Sequence, residues 1–403
     1  MNVFVAILGL GLLVLVHEAG HFFSARAVGM RPRRFYVGFP PPLVKVERNG
    51  IEYGLGAVPL GGYVKIPGMH RPAPSDVDMY FGRALAEAPQ LLRPLERLKQ
   101  RLAEDKMAEA RAALDESEHA LNDTGLSPPA LRAARRGLNE LRDALGEDAY
   151  WRQRIWKRIL VIFAGPGTNL LFAVLLFTLL FMISGGPVKP TIAAVDEDFP
   201  AAKAGLQKGD KLIAINGVRV RPEEVSDRIA ASEGRPLTLT VERDGTQVTI
   251  GPIRPRKDGN RYRVGLALDS SGLDPATATW RAIRLTGLVT REIGASLTRL
   301  VTGEGRKEIS SPVGIVQGSS KALEQGMETY LWVLGLISLS LALLNLLPLL
   351  PLDGGHIVFS IVEGIRGRAV GREVYERVSA VGIALVLLLF FIGLSNDVNR
   401  LGD

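Results

Sequence analysis

Residues 13–27 read LVLVHEAGHFFSARA. Two histidines and a glutamate stand in a run otherwise apolar enough for lipid, where such groups are costly unless they face a polar cavity or a metal. On a helix, His17 and His21 project from one face a turn apart, with Glu18 about 100° around from His17. This is the HExxH spacing: two imidazole ligands for one Zn2+ and a carboxylate able to take a proton from an activated water. A pair of satisfied polar helix residues is the competing reading of the spacing alone.

The surrounding composition favours a membrane protein. The chain has 403 residues, 47% of them apolar, and its mean hydropathy is positive. The apolar residues gather in four blocks, Val3 to Ala27, Ile155 to Ile183, Tyr330 to Leu350 and Val378 to Leu394, of roughly the length that a ~30 Å hydrocarbon layer requires. The first block lacks a cationic leader and a small-residue cleavage site, so a retained helix is expected rather than a signal peptide. With no cysteine, disulfides and thiolate metal sites are excluded, and any metal must be held by nitrogen and oxygen.

The net charge of +7 does not point to nucleic acid, because no basic stripe interleaved with aromatics is present. The basic residues instead cluster where the apolar blocks end: Arg26, Arg31, Arg33 and Arg34; Arg152, Arg154, Lys157 and Arg158; Arg366, Arg368, Arg372 and Arg377. By the positive-inside rule these three segments are cytoplasmic. Both termini and the segment from Gly185 to about Met327 are then expected on the opposite side.

A catalytic zinc needs a third protein ligand. The distant residue enclosed by comparable apolar sequence is Asp353, in NLLPLLPLDGGHI at 345–357. Pro348 and Pro351 prevent a regular helix, and Gly354-Gly355 allow a tight bend. Broken backbone at membrane depth is tolerated where it lines a cavity. Alternatives stay open at this point: Asp353 could simply cap the helix that follows, and Glu363 or His356 could compete for the metal, although Glu363 is expected to pair with Arg366.

Between these two segments the chain changes character several times. Residues 33–68 are rich in aromatic and β-branched residues, with a turn at Arg48-Asn49-Gly50 and a break at Gly61-Gly62, and read as short antiparallel strands near the membrane. From 83 to 150 the composition is nearly balanced in charge. Leu95 to Asn122 reads as one helix and SPPALRAARRGLNELRDALG as a second, capped by Ser127, giving a solvated antiparallel hairpin with His119 on its surface. The second span contains FAGPGTN at 163–169, where Gly165 and Gly167 permit close helix approach and Asn169 needs a partner, either in helix packing or in a reactive cavity. Beyond Gly186 comes a small β-rich module able to bind an extended chain end as an added strand. A partly charged helix carrying Trp280, Ile283 and Leu288 then suits the membrane surface.

HEAGH at 17–21, AGPGTN at 164–169, SPVGI at 311–315 and NLLPLLPLDGG at 345–355 together resemble the bacterial site-2 protease family, the RseP-like intramembrane zinc metalloproteases. GLQKGDKLIAINGVRV at 205–220 looks like the family's extracytoplasmic PDZ domain. The resemblance implies Zn2+ held by His17, His21 and Asp353, with Glu18 acting on water and Asn345 placing or polarising the substrate carbonyl; Asn169 is a weaker candidate for that role. It further implies that 33–68 presents an extended substrate strand and that the substrates are single-pass membrane proteins such as anti-sigma factors. Regulated proteolysis in the bacterial inner membrane follows, with the PDZ module as gate or size filter.

The expected fold is a polytopic α-helical membrane protein. It comprises a first transmembrane helix at 1–28, a cytoplasmic-side membrane-associated β region at 29–82 and a charged helical hairpin at 83–150. A second transmembrane helix at 155–184 precedes the PDZ-like domain at 187–270, an amphipathic helix and linker at 274–326, a third transmembrane segment at 327–360 and a fourth helix at 376–395. Two features depart from the family pattern: a single PDZ-like unit is present, and the hairpin has no counterpart and could recruit a cytoplasmic partner. The rival functions are a divalent-metal transporter, which should repeat polar positions over several spans, and a PDZ-bearing scaffold, which leaves HEAGH unexplained.

Overall fold

The computed structural model describes residues 2–259, 261–270, 272–301 and 310–402; residues 302–309, part of the helix and linker expected at 274–326, lie outside them. The chain forms two compact units, one of residues 1–174 with 286–403 and one of residues 175–285. The structure is mostly helical, and four helices among the described residues are long and apolar enough to cross a membrane.

The first unit opens with α1 (Asn2–Ala27), followed by β1 (Arg34–Arg48) and β2 (Ile51–Lys65). Asn49 and Gly50 both have positive φ, 55° and 74°, as the two-residue hairpin turn between them requires. Both strands bend midway. As a result 34–37 meets 62–65 on one side and 52–55 on the other, while 44–48 returns along 51–55.

The helical insertion differs from the expected hairpin. Helices begin at Pro74, inside the stretch assigned to the β region, and four form: α2 (Pro74–Glu87), α3 (Leu92–Ala103), α4 (Met107–Asn122) and α5 (Pro128–Leu145). Pro89 cannot continue α2, and the expected single helix from Leu95 to Asn122 breaks at Asp105, which takes the left-handed conformation at φ 60°. Val77, Phe81, Leu91, Leu98, Leu114 and Leu141 bury themselves in a core belonging to the insertion alone. Only its outer face is solvated, which is why charge balance by itself misrepresented it.

α6 (Ile155–Ser184) crosses from this unit into the second. There β3 (Val188–Val195), α7 (Pro200–Lys203), β4 (Lys211–Ile215), β5 (Val218–Arg219), α8 (Val225–Ala230), β6 (Leu237–Arg243), β7 (Thr246–Ile253), β8 (Arg256–Asp258), β9 (Arg261–Arg263) and β10 (Leu266–Ser270) follow. The main sheet runs β10-β3-β4-β6-β7, with β5 paired to β4. Ile192, Leu212, Leu239, Val241 and Val264 form its core.

Two helices, α9 (Pro275–Val301) and α10 (Pro312–Glu324), occupy the segment expected as one amphipathic helix and linker. Trp280, Ile283 and Leu288 of α9 are exposed. Ser311 caps α10, and the Asp397 carboxylate also accepts from the N–H groups of Ser311 and Gly314. The third apolar segment is α11 (Met327–Asn345), a broken stretch at 346–352, and α12 (Asp353–Arg366). α13 (Arg372–Gly402) contains the fourth and extends beyond the expected 376–395.

Candidate metal centre

The helical period brings His17 and His21 together: both are buried, their Nε2 atoms are 3.2 Å apart, and the rings meet edge to face. Their depth depends on small residues. Gly20 lies against Ala164 and Thr168 of α6, where no Cβ fits, and Thr168 Oγ1 donates to the Val16 carbonyl at 3.0 Å. Gly165 lies under the His21 ring, where a Cβ would collide with it. On α11, Tyr330 covers Gly9 and donates to the Val5 carbonyl at 3.1 Å.

Asp353 is the first residue of α12, and its Oδ2 lies 3.2 Å from His17 Nε2 and 3.4 Å from His21 Nε2. It does not cap its helix: no side-chain cap bond forms there, and the carboxylate faces the histidines. The turn that aims it needs both glycines, since a Cβ on Gly354 would strike the backbone of Leu346 and Leu347, and one on Gly355 that of Leu349 and Leu350. Among the described residues, His17, His21 and Asp353 are the group of three whose ligand atoms converge closely enough for a metal ion.

The donor set fits zinc. Two imidazole nitrogens and a carboxylate oxygen crowded in an apolar setting repel one another unless a positive charge lies among them. Four-coordinate zinc with bonds of ~2.0–2.1 Å separates neighbouring ligand atoms by roughly 3.3 Å, close to the spacings here. The buried Asp353 Oδ2 has no hydrogen-bond partner. His21 Nδ1 donates to the Val161 carbonyl at 2.8 Å, which leaves Nε2 with the lone pair that a metal requires.

The other sequence candidates are spread around this group. The Glu18 carboxylate packs against Gly62 of β2. Asn345 ends α11 half-buried, and its side chain has no hydrogen-bond partner among the described residues. Asn169 is fully buried, and its amide lies 3.4 Å from His17 Nδ1. His356 is hydrogen-bonded to the Tyr375 hydroxyl and stands outside the metal group. Glu363 pairs with Arg158 of α6 at 2.6 Å, not with Arg366, because α12 packs its last turns beside α6. Gly62 and the Val161 carbonyl were not singled out from sequence as parts of the site. In sequence Gly61-Gly62 reads as a strand break, and a backbone carbonyl carries no residue-type signal.

A family model described as Peptidase family M50 matches residues 5–389. The zinc metalloprotease RasP of Geobacillus kaustophilus is 30% identical, over 97% of this chain and 96% of its own. The regulator of sigma-W protease RasP of Bacillus subtilis is 27% identical, over 97% and 96% respectively. Similarity of this extent covers both HEAGH and the LDG segment, with the apolar helices between them. The chain therefore belongs to peptidase family M50, the site-2 proteases, and is a zinc-dependent metalloendopeptidase of the membrane.

Proposed function

We propose that this enzyme cuts peptide bonds in or near the transmembrane segments of single-pass proteins, anti-sigma factors among them, in regulated intramembrane proteolysis. The observation that carries the reading is the convergence of His17, His21 and Asp353 from two helices some 330 residues apart. In this reading His17, His21 and Asp353 hold the ion. When bound, zinc supplies a polarised water and an electrophile for the scissile carbonyl.

Glu18 takes the proton from that water and returns it to the leaving amine. Asn345, with its amide free, donates to the carbonyl oxygen of the substrate. Asn169 orients His17 rather than touching substrate. The substrate must unwind locally, because a helical amide is hydrogen-bonded and shielded; an extended segment beside β2 would lie next to Glu18. The charge clusters support an inner-membrane orientation with both termini outside the cytoplasm, and the sheet of residues 188–270 is read as an extracytoplasmic PDZ-like domain. The insertion then lies on the cytoplasmic side, free to meet a partner there.

The test is cleavage of a panel of tagged single-pass proteins by purified enzyme. Glu18→Gln is expected to keep zinc and lose cleavage, and Asp353→Ala to lose zinc by elemental analysis. Full turnover by the first or full zinc in the second overturns the assignment. Metal flux into liposomes without any cleavage supports the transporter reading instead.

A further inference from the structure

The insertion and the strand beside Glu18 are tied together by charge. Along residues 62–65, Gly62 and the Val64 N–H meet Glu18, while Tyr63 and Lys65 line a cleft beside Glu140 and Leu141 of α5. A Cβ on Gly62 would lie 2.8 and 2.9 Å from Glu18 Cδ and Oε1, and the Val64 N–H faces the same carboxylate. One residue further on, Lys65 Nζ lies 2.8 Å from Glu140 Oε1 and 3.1 Å from Asp143 Oδ2.

The second oxygen of Asp143 accepts from Arg33 Nε at 2.8 Å, and Arg33 Nη1 reaches Asp148 at 3.0 Å. Arg33 and Lys65 are also joined through the backbone, Arg33 N donating to Lys65 O at 2.7 Å where 34–37 pairs with 62–65. One carboxylate on α5 thus holds both strands at the base of the hairpin. The side chains of Asp143 and Lys65 are 13% and 15% exposed, so this tie is screened less than an open surface pair. The backbone of Tyr150 and Trp151 adds bonds to the carbonyls of Pro67 and Gly68, at 2.9 and 3.1 Å.

We infer that the four-helix insertion positions the catalytic base: Asp143 holds Lys65 and Arg33 and thereby sets where Gly62 and Val64 meet Glu18. The inference rests on Glu18 acting as the base. Asp143, Lys65 and Arg33 are positioning residues, since none of them reaches the metal group. Removing the Asp143 charge leaves Lys65 with Glu140 and Arg33 with Asp148, so the hairpin stays attached while its base loosens.

The test uses full-length, zinc-loaded enzyme and a tagged single-span substrate. Asp143→Asn and Lys65→Met are each expected to lower kcat about tenfold or more, with zinc content and KM near wild type, as misplacement of a reacting group does. The double variant should lose less than the product of the two single losses, because both substitutions remove the Lys65–Asp143 contact, and Asp143→Glu should recover part of the loss. Glu116→Gln, which breaks a pair with Arg97 inside the insertion, should leave kcat unchanged. Wild-type kcat in both single variants, or a loss that tracks lost zinc, overturns the inference. An active Glu18→Gln overturns the base assignment instead, whatever Asp143 does. Should Asp143→Asn fail to accumulate, Lys65→Met, which leaves α5 unaltered, decides.

Discussion

The Asn169 amide lies 3.4 Å from His17 Nδ1, and its own Oδ1 is a buried atom without a partner. A His17 ring that offers Nε2 to a metal must carry its proton on Nδ1, and that N–H needs an acceptor. Turning the amide by 180° places Oδ1 there and answers both needs. The Ser338 hydroxyl donates to the main-chain carbonyl of Asn169 at 2.8 Å and holds this part of α6 to α11.

Asn169→Ala should therefore weaken zinc binding about 10–100-fold, the usual cost of losing an outer partner of a ligating histidine. Asn169→Asp, which keeps an acceptor, should be milder. Competition with a graded series of chelators measures this; identical retention by wild type and Asn169→Ala would reject the role.

Gly165→Ala should displace the His21 ring, since its Cβ has no space beside the imidazole. Loss of zinc and of cleavage together is expected. Gly167→Ala is the control, because its Cβ would meet only the Phe163 ring, at 3.2 Å or more. Equal zinc in both variants would show that the ring can move aside.

Leu98 is fully buried in the core of the insertion. Leu98→Ala should cost about 2–5 kcal/mol locally. Hydrogen exchange in the full-length protein should accelerate over 74–145 while α1 stays protected. Uniform acceleration over both would mean that the insertion has no separate core.

In the β-rich unit, Arg243 grips both oxygens of buried Asp210 at 2.7 Å and holds its carboxyl below the usual range. A lowered folded value means that the stabilisation is complete above the unfolded pKa of about 4 and is lost as the pH falls through the folded one. Asp210→Asn should therefore unfold this unit at a lower temperature near neutrality. The difference from wild type should shrink on acidification, and a gap that stays constant to pH 2 would contradict the linkage.

Local rules exposed much of this molecule before its fold was known. Apolar block length marked the spans, and the spacing of His17 and His21 follows from helix geometry alone. Pro348, Pro351 and the glycine pair announced broken backbone around Asp353. Composition failed at the insertion, because the core of α2 to α5 joins residues from 77 to 145 that form no single stripe. It failed as well for Glu363, whose partner comes from α6.

Residue order alone marks which side chains are too costly in lipid to be idle, since that cost depends on residue type and immediate neighbours. What meets them is set by packing: Asn169 beside His17, Gly165 under His21, Gly62 against Glu18, and Asp143 behind Lys65. Such meetings depend on how separately encoded helices and strands pack in three dimensions, and no local spacing records that.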